Sequence, residues 1–414
     1  MGVGHEAPAV DDSVPFVDSP AVGTGLRITP CGDDLRPEPP PDSRDPLAVT
    51  LSGGGFRATL AGLGALRLVA GTGSLGDLRY LSSVSGGSIT NAVTALAWPR
   101  LRDRGFTAEA FDELVVEPVV ARLSSRSLKF ALLRGLWRTV GPQTRTDVLA
   151  RRLDEWFLHE AELEHLDPGV RWIISAANMM SGVRFGFERD VVGDYTIGLL
   201  ATKGTGLRLS RAVAASAAVP GTFAPVVLRD LPFPCGTAPP ALLDGGVYDN
   251  TGLEALDGER YRDVFLFTMN AGGLLRAGSY GKVPLVRDLA RANSLLYRQS
   301  TTLRTRDMVN RFRRGRELPA GSPLPDGARR GVLVSLATDL PTERPEPLRA
   351  WCAAHPEHRT HDGRDLALVP TVFDKLDERL CRALVYRGWW LMGAVLAAYH
   401  PERLPSSGIG PPPL

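Results

Sequence analysis

Residues 47–97 confine this chain to one class of fold. Leu47-Ala-Val-Thr-Leu51 is a short apolar run of strand length, and Gly53, Gly54 and Gly55 follow it closely. Phe56 to Ala70 is then almost wholly apolar, interrupted by Arg57, Thr59 and Arg67. A helix that is apolar all round must be buried, here against a sheet. Leu78 to Val84 reads as a second strand, Ser85-Gly86-Gly87-Ser88 as a tight turn, and Ile89 to Ala97 as a second helix. Strands joined through a helix lie parallel in one sheet, so the chain is expected to be α/β.

The remainder extends that unit without dividing it. Residues 1–45 are rich in Pro, Asp and Gly and have no sustained apolar period, which suits an extended, solvated arm. The stretch 401–414 has the same character, so one domain over residues 46–400 is expected. Within it, residues 106–165 read as mainly helical, with the basic insertion placed at 100–170. Arg171–Ala176 and Val183–Phe187 read as strands, as do Ala241–Leu243 and Tyr261–Met269. A short helix is expected over Leu209–Ala218, stopped by Pro220-Gly221, and long helical patterns run from Leu285 to Phe312 and from Val372 to Tyr399.

Composition excludes several functions. A net charge of +2 argues against nucleic acid as a partner. No run of 18 apolar residues occurs, so no membrane-spanning helix is expected. The four cysteines, Cys31, Cys235, Cys352 and Cys381, are widely spaced and form no CxxC pair. A disulfide framework is therefore not expected, and a cytoplasmic location is. The start of the chain lacks the basic and apolar pattern of a signal peptide, and Gly2 is followed by Glu6 where a myristoylation signal needs Ser or Thr.

Three pieces carry chemistry. The first is Ser52-Gly53-Gly54-Gly55-Phe56-Arg57, between a strand and a helix, where glycines expose N–H groups able to hold negative charge. Gly53-x-Gly55-x-x-Ala58 also fits a dinucleotide fingerprint, but that reading needs an acid ending the second strand. That strand ends instead in Val84-Ser85, and Asp77 precedes it. The second piece is Ser83-Val84-Ser85-Gly86-Gly87, a strand-to-helix turn of the kind that presents a nucleophile, with Ser83 where the usual G-x-S-x-G has glycine. An ordinary helix-capping turn is the competing account of those residues. The third is Leu243-Asp244-Gly245-Gly246-Val247-Tyr248-Asp249-Asn250, whose first aspartate ends a strand. Spacing alone does not choose between Asp244 and Asp249, and an Asp-Gly turn without chemistry is common.

Taken in order, these pieces resemble the patatin-like phospholipases. Gly53-Gly54-Gly55-Phe56-Arg57, Ser85 in its turn and Asp244-Gly245-Gly246 match the family's motifs, and the stretch Arg211 to Pro225 resembles its segment ahead of the aspartate. The resemblance covers roughly residues 47–255. It implies a patatin-like three-layer α/β/α fold with a central, mainly parallel sheet and helical insertions. It further implies a serine acyl-ester hydrolase in which Ser85 is the nucleophile and Asp244 its base. The oxyanion hole would come from Gly53, Gly54 and Gly55, with a further N–H from Gly86, and Arg57 would support the loop. The substrate would be a lipid or another acyl ester, and no metal or cofactor is required.

Three other features need a place. Cys352, His355, His358, His361 and, further on, His400 could supply a Ser-Asp-His triad or a metal site, but Pro356 breaks any helix aligning them and a solvated loop is the favoured account. Between Ala121 and Thr146 lie Arg122, Arg126, Lys129, Arg134, Arg138 and Arg145 with no acid, beside Leu128, Leu132, Leu136 and Trp137. Such a stripe either lies on an anionic membrane surface or packs on the core, and the second is commoner. Trp389-Trp390 is expected to be core. The alternative to an enzyme is a lipid-binding or regulatory protein keeping this fold without turnover, with Ser83 as its sole support.

Overall fold

The computed structural model describes residues 40–127, 144–235, 238–273, 284–319, 322–340, 344–356, 363–371 and 373–413. Its first elements follow the sequence pattern. Strand β1 (Leu47–Leu51) leads to helix α1 (Gly55–Gly71), strand β2 (Leu78–Val84) and helix α2 (Gly86–Asp103). β1 and β2 are parallel neighbours, as the crossover requires. α2 begins at Gly86, immediately after the serine turn, three residues before the expected start.

Eight further strands complete the sheet: β3 (Arg171–Asn178), β4 (Arg184–Phe187), β5 (Val191–Asp194), β6 (Gly198–Ala201), β7 (Val226–Val227), β8 (Ala241–Asp244), β9 (Phe265–Asn270) and β10 (Gly331–Ser335). The order is β10-β9-β1-β2-β3-β4-β5-β6, with β8 pairing β3 and β7. From β10 to β3 every pairing is parallel. Beyond β3 the sheet continues as antiparallel pairs, including β8 on β3. The expected parallel core is thus present, with an antiparallel extension that the sequence pattern did not reveal.

Alternate residues of the central strands feed two cores, the period-two signature of a sheet covered on both faces. Leu47, Val49, Leu51, Phe265, Phe267 and Met269 join the larger core with α1, α2 and a helix α5 (Glu378–Tyr399). Ala48 and Leu266 face the other way, against Leu256, Tyr261, Met308 and Phe312. The last two belong to α4 (Pro284–Arg316), while α3 (Leu209–Ser216) lies against β3 and β8 on the larger-core side. These three layers match the expected α/β/α architecture. Trp389 and Trp390 are buried, as core residues should be.

Two expectations are corrected. The 401–414 stretch is not a free tail: Pro401–Arg403 forms a short helical turn, Arg403 pairs with Asp45, and Ile409 is buried against Gly71. Leu404 and Ile409 pack on the core beside that ion pair, and together they hold a Pro-rich segment whose backbone entropy is already low. Cys235 is disulfide-bonded, against the expectation of no disulfide, while Cys352 and Cys381 are not in disulfides. Residues 1–39 of the expected arm lie outside the described residues, as do Lys129, Arg134, Arg138 and Trp137 of the basic segment. Among the described residues no helix is long and apolar enough to cross a membrane.

The docked tail makes a direct prediction. Ile409→Ala should lower the unfolding free energy by about 2 kcal/mol, read by urea denaturation, because it leaves a hole beside Gly71. A solvated tail would give no change.

Candidate active site

The two residues singled out by the sequence meet because of how β3 is flanked. β2 runs parallel to β3 and ends with Val84 opposite Ser175. β8 runs antiparallel along the same strand and ends with Asp244 opposite Ala176. Two strand ends therefore converge on neighbouring residues of β3, and Ser85 and Asp244 sit at the junction. Both are 3% exposed.

Ser85 adopts φ 52° and ψ −119°, a region that a non-glycine residue occupies only when its surroundings enforce it. The enforcing contacts are buried hydroxyls. The Ser85 N–H donates to Ser216 Oγ at 2.9 Å, and Ser216 Oγ donates to the Ser175 carbonyl at 2.7 Å. Ser88 Oγ lies 2.9 Å from Ser216 Oγ and 3.0 Å from Ser83 Oγ, and Asn91 Nδ2 donates to Ser83 Oγ at 2.8 Å. Ser83, the departure from the glycine of the usual motif, is thus a working member of the chain of hydroxyls that pins the turn. A serine fits there because its polar atom has partners on both sides.

The Ser85 hydroxyl is near enough to the Asp244 carboxylate to act on its pKa. Asp244 also accepts from the Gly246 N–H at 2.8 Å, and its own N–H is held by the Ala218 carbonyl at 3.0 Å. Burial pushes the Asp244 carboxyl up to about 6, and the contacts from Ser85 and the Gly246 N–H oppose that rise. Asp249 is differently employed. Its carboxylate accepts from the Thr251 N–H and hydroxyl and from the Glu254 N–H, capping the next turn. Geometry therefore separates two aspartates that spacing could not.

The glycine loop stands against this pair. Gly54 has φ +146°, and a side chain there would also strike the Ala271 carbonyl at 2.8 Å, so glycine is required. At Gly53 a Cβ would lie 3.2 Å from that of Ser85, which fixes how close the loop comes. The Gly53 N–H donates to the Asn250 carbonyl at 3.0 Å and is not free, a correction to its expected place in an oxyanion hole. Gly54, Gly55 and Gly86 lie at the first turns of α1 and α2, where N–H groups have no helical partner. None of the three N–H groups donates to an acceptor among the described residues.

Arg57 makes no hydrogen bond to Ser85 or Asp244. It is 1% exposed and donates to the carbonyls of Ala271 and Val369 and to Thr371 Oγ1. Burial lowers its pKa to about 10, yet it remains a cation directly behind Gly54. Its place is structural, with a positive field at the loop as the by-product.

Three nearby residues escaped the sequence reading. Asn250 wedges between Gly53 and Gly246 and so ties the loop to the aspartate turn. Ser216 holds the serine turn, and Tyr297 of α4 lies over Gly246, where a side chain would come within 2.9 Å of its ring. The Tyr297 hydroxyl is buried without a hydrogen-bond partner among the described residues, and burial together with the charge of Asp244 keeps the phenol protonated. Asn250 lay inside a quoted motif; Tyr297 offered no local signal.

The histidines lie elsewhere. His355 packs between Trp351 and Trp389, with ring centroids 4.4 and 4.9 Å away, and His400 bonds Glu402. His358 and His361 fall outside the described residues. Among the described residues no histidine contacts Ser85 or Asp244, and the one acid-rich group with metal-ligand spacing is the surface set Glu162, Glu164 and His165.

With this geometry in place, residues 49–257, half of the chain, match the family model of patatin-like phospholipases. The chain belongs to that family. No curated protein matches it. Among solved structures, this patatin-like chain is similar to human GIVD cytosolic phospholipase A2, at 15% identity and a TM-score of 0.49 over 89% of this chain and 61% of that one. The same enzyme in complex with methyl gamma-linolenyl fluorophosphonate matches at 14% identity and a TM-score of 0.45, over 87% and 60%. VipD from Legionella pneumophila matches at 13% and 0.33, over 80% and 66%. The patatin-like chain thus spans about three fifths of the human enzyme's length.

Removing the Ser216 hydroxyl takes away the acceptor of a buried N–H. Ser216→Ala should therefore cost about 1–3 kcal/mol in denaturant unfolding. An unchanged midpoint would mean that the turn is held by other contacts.

Proposed function

We propose that the chain is a serine acyl-ester hydrolase acting on lipids through Ser85 and Asp244. The observation that carries this reading is Ser85 on a strained turn, beside a buried carboxylate and flanked by N–H groups unpartnered among the described residues. A serine hydroxyl is a poor nucleophile until a base takes its proton. Asp244, with a pKa near 6, is ionised at neutral pH yet basic enough for that task.

Ser85 Oγ attacks the ester carbonyl carbon as its proton passes to Asp244. The oxyanion that forms accepts from the N–H groups of Gly54, Gly55 and Gly86. One such donor is typically worth about 3–4 kcal/mol of barrier, so this loop supplies a large part of the catalysis. Collapse expels the alcohol, which takes the proton back from Asp244. Water then attacks the acyl-enzyme with Asp244 again as base, and Ser85 is regenerated. Every proton is accounted for by the two side chains and water.

A lipid substrate is supported by the family and by the rim of the site. Met179 and Met180, 55% and 62% exposed, follow β3 directly beyond the residues that face Ser85 and Asp244. Val247, 39% exposed, lies just past the aspartate turn. Apolar side chains left in water beside the cleft suit contact with an acyl chain or a lipid surface.

Purified protein should hydrolyse p-nitrophenyl esters, with rates rising with acyl length, and Ser85→Ala and Asp244→Asn should each lose about 10⁴-fold in kcat. An Asp244→Asn protein of near-normal activity would remove Asp244 as the base. The acid limb of kcat/KM should fall near pH 6, where Asp244 takes up its proton, about two units above an ordinary aspartate. Stability moves the opposite way. The neutral carboxyl is favoured in the folded chain, so its contribution is present below about pH 4 and is lost as pH rises through about 6. An activity limb near pH 4 would contradict the assigned base.

A further inference from the structure

A second cleft, of about 600 Å³, opens at the opposite end of the sheet. Asp45, which precedes β1, and Phe265, which begins β9, form part of its wall. Ser52 and the glycine loop lie at the other end of β1, so a strand of about 17 Å separates this cleft from Ser85. The remaining wall comes from Thr72 and Ser74 after α1, the end of α4, Arg330 ahead of β10, the end of α5 and the docked tail.

Its charges are unevenly paired. Arg403 is neutralised by Asp45, with both nitrogens at 2.8 Å, and lies 3.8 Å above the Phe265 ring. Arg316 lies 4.1 Å above the Tyr399 ring and forms no ion pair with a carboxylate among the described residues. Arg330 is likewise without a carboxylate, and its Nη2 donates to the carbonyls of Pro319 and Ser322. The C-terminus of α4 explains exposed Arg313 and Arg314 through the helix dipole. Arg316, by contrast, is half-buried in the cleft wall.

His400 supplies an independent sign. It is 7% exposed, its Nδ1 lies 3.0 Å from Glu402 Oε1, and its Nε2 is buried with no hydrogen-bond partner among the described residues. Around it stand Glu402 and Arg403 from the tail, Arg316 from α4, Tyr399 from α5 and Asp45 ahead of β1. Burial lowers its pKa, and Arg316 and Arg403 lower it further, while Glu402 raises it. A buried ring nitrogen without a partner among the described residues, in a wall shared with the Arg316 guanidinium that lacks a counter-charge, marks a place built for an anion.

We propose that this cleft binds a small soluble phosphate monoester through Arg316, Arg330 and the Nε2 of His400. Guanidinium forks match the oxygens of phosphate, and the volume suits a compact polar molecule. The ligand is soluble rather than a lipid headgroup, because the apolar rim lies at the far end of the strands. A bound anion draws a proton onto Nε2, so binding strengthens as the pH falls.

The test is binding of glycerol 2-phosphate and of inorganic sulfate to the full chain at constant ionic strength, followed through the imidazole NMR signal of His400. The cleft predicts saturable shifts with both probes, affinity at least tenfold weaker in Arg316→Gln and Arg330→Gln, and no change in Ser85→Ala. Sulfate, whose charge is constant in this range, should bind more weakly at pH 7.5 than at pH 5.5. If either arginine variant is misfolded by its thermal transition, the His400 shift and the sulfate pH dependence in the unaltered chain still decide. Full affinity in both folded variants, a His400 signal that does not move, or an effect that follows ionic strength alone overturns the proposal. Arginine-dependent binding to phosphatidate vesicles without binding of glycerol 2-phosphate also overturns it, by moving the site to a lipid headgroup.

Discussion

Strand β3 is the constraint on which the rest of the site depends. It accepts a parallel neighbour that stops opposite Ser175 and an antiparallel one that stops opposite Ala176. A serine and an aspartate 159 positions apart in the chain are thereby placed side by side by backbone hydrogen bonding alone. Side-chain contacts then refine the junction. The hydroxyls of Ser83, Ser88 and Ser216 hold the serine turn in its costly conformation, and Asn250 fastens the glycine loop to the aspartate turn. The same burial that stabilises the sheet removes water from Asp244 and raises its pKa into the range useful to a base.

Much of this could be read from the sequence where function and local geometry coincide. Gly54 must be glycine to carry its positive φ, and Ser85 must sit between a strand and a helix, so both left local marks. The first βαβ unit was equally plain, because a doubly covered strand and its buried helix have no polar face to obscure them. The short strands β5, β6, β7 and β10 were not foreseen. They are two to five residues long, with Gly193 inside β5 and Gly198 opening β6, so no alternation accumulates.

What stayed hidden depends on contacts across the fold. Ser216 acquires its role when α3 is laid against β3, and Tyr297 when α4 crosses Gly246. The Gly53 N–H looked equivalent to its neighbours until Asn250 took it. Likewise the tail carries a solvated composition, and only a few of its residues, Leu404 and Ile409 among them, are apolar side chains packed on the core. The second cleft joins residues from six separate parts of the chain, which no linear motif could announce.

The central claim is that Ser85 is a nucleophile activated where it stands by Asp244. An alkyl fluorophosphonate, which phosphonylates an activated serine and little else, addresses this directly through intact and peptide mass spectrometry of the folded protein. The account predicts one adduct per chain, on Ser85, formed rapidly above pH 6 and greatly slowed in Asp244→Asn. No adduct on folded protein, an adduct on another serine, or equal rates with and without the Asp244 carboxylate would contradict it.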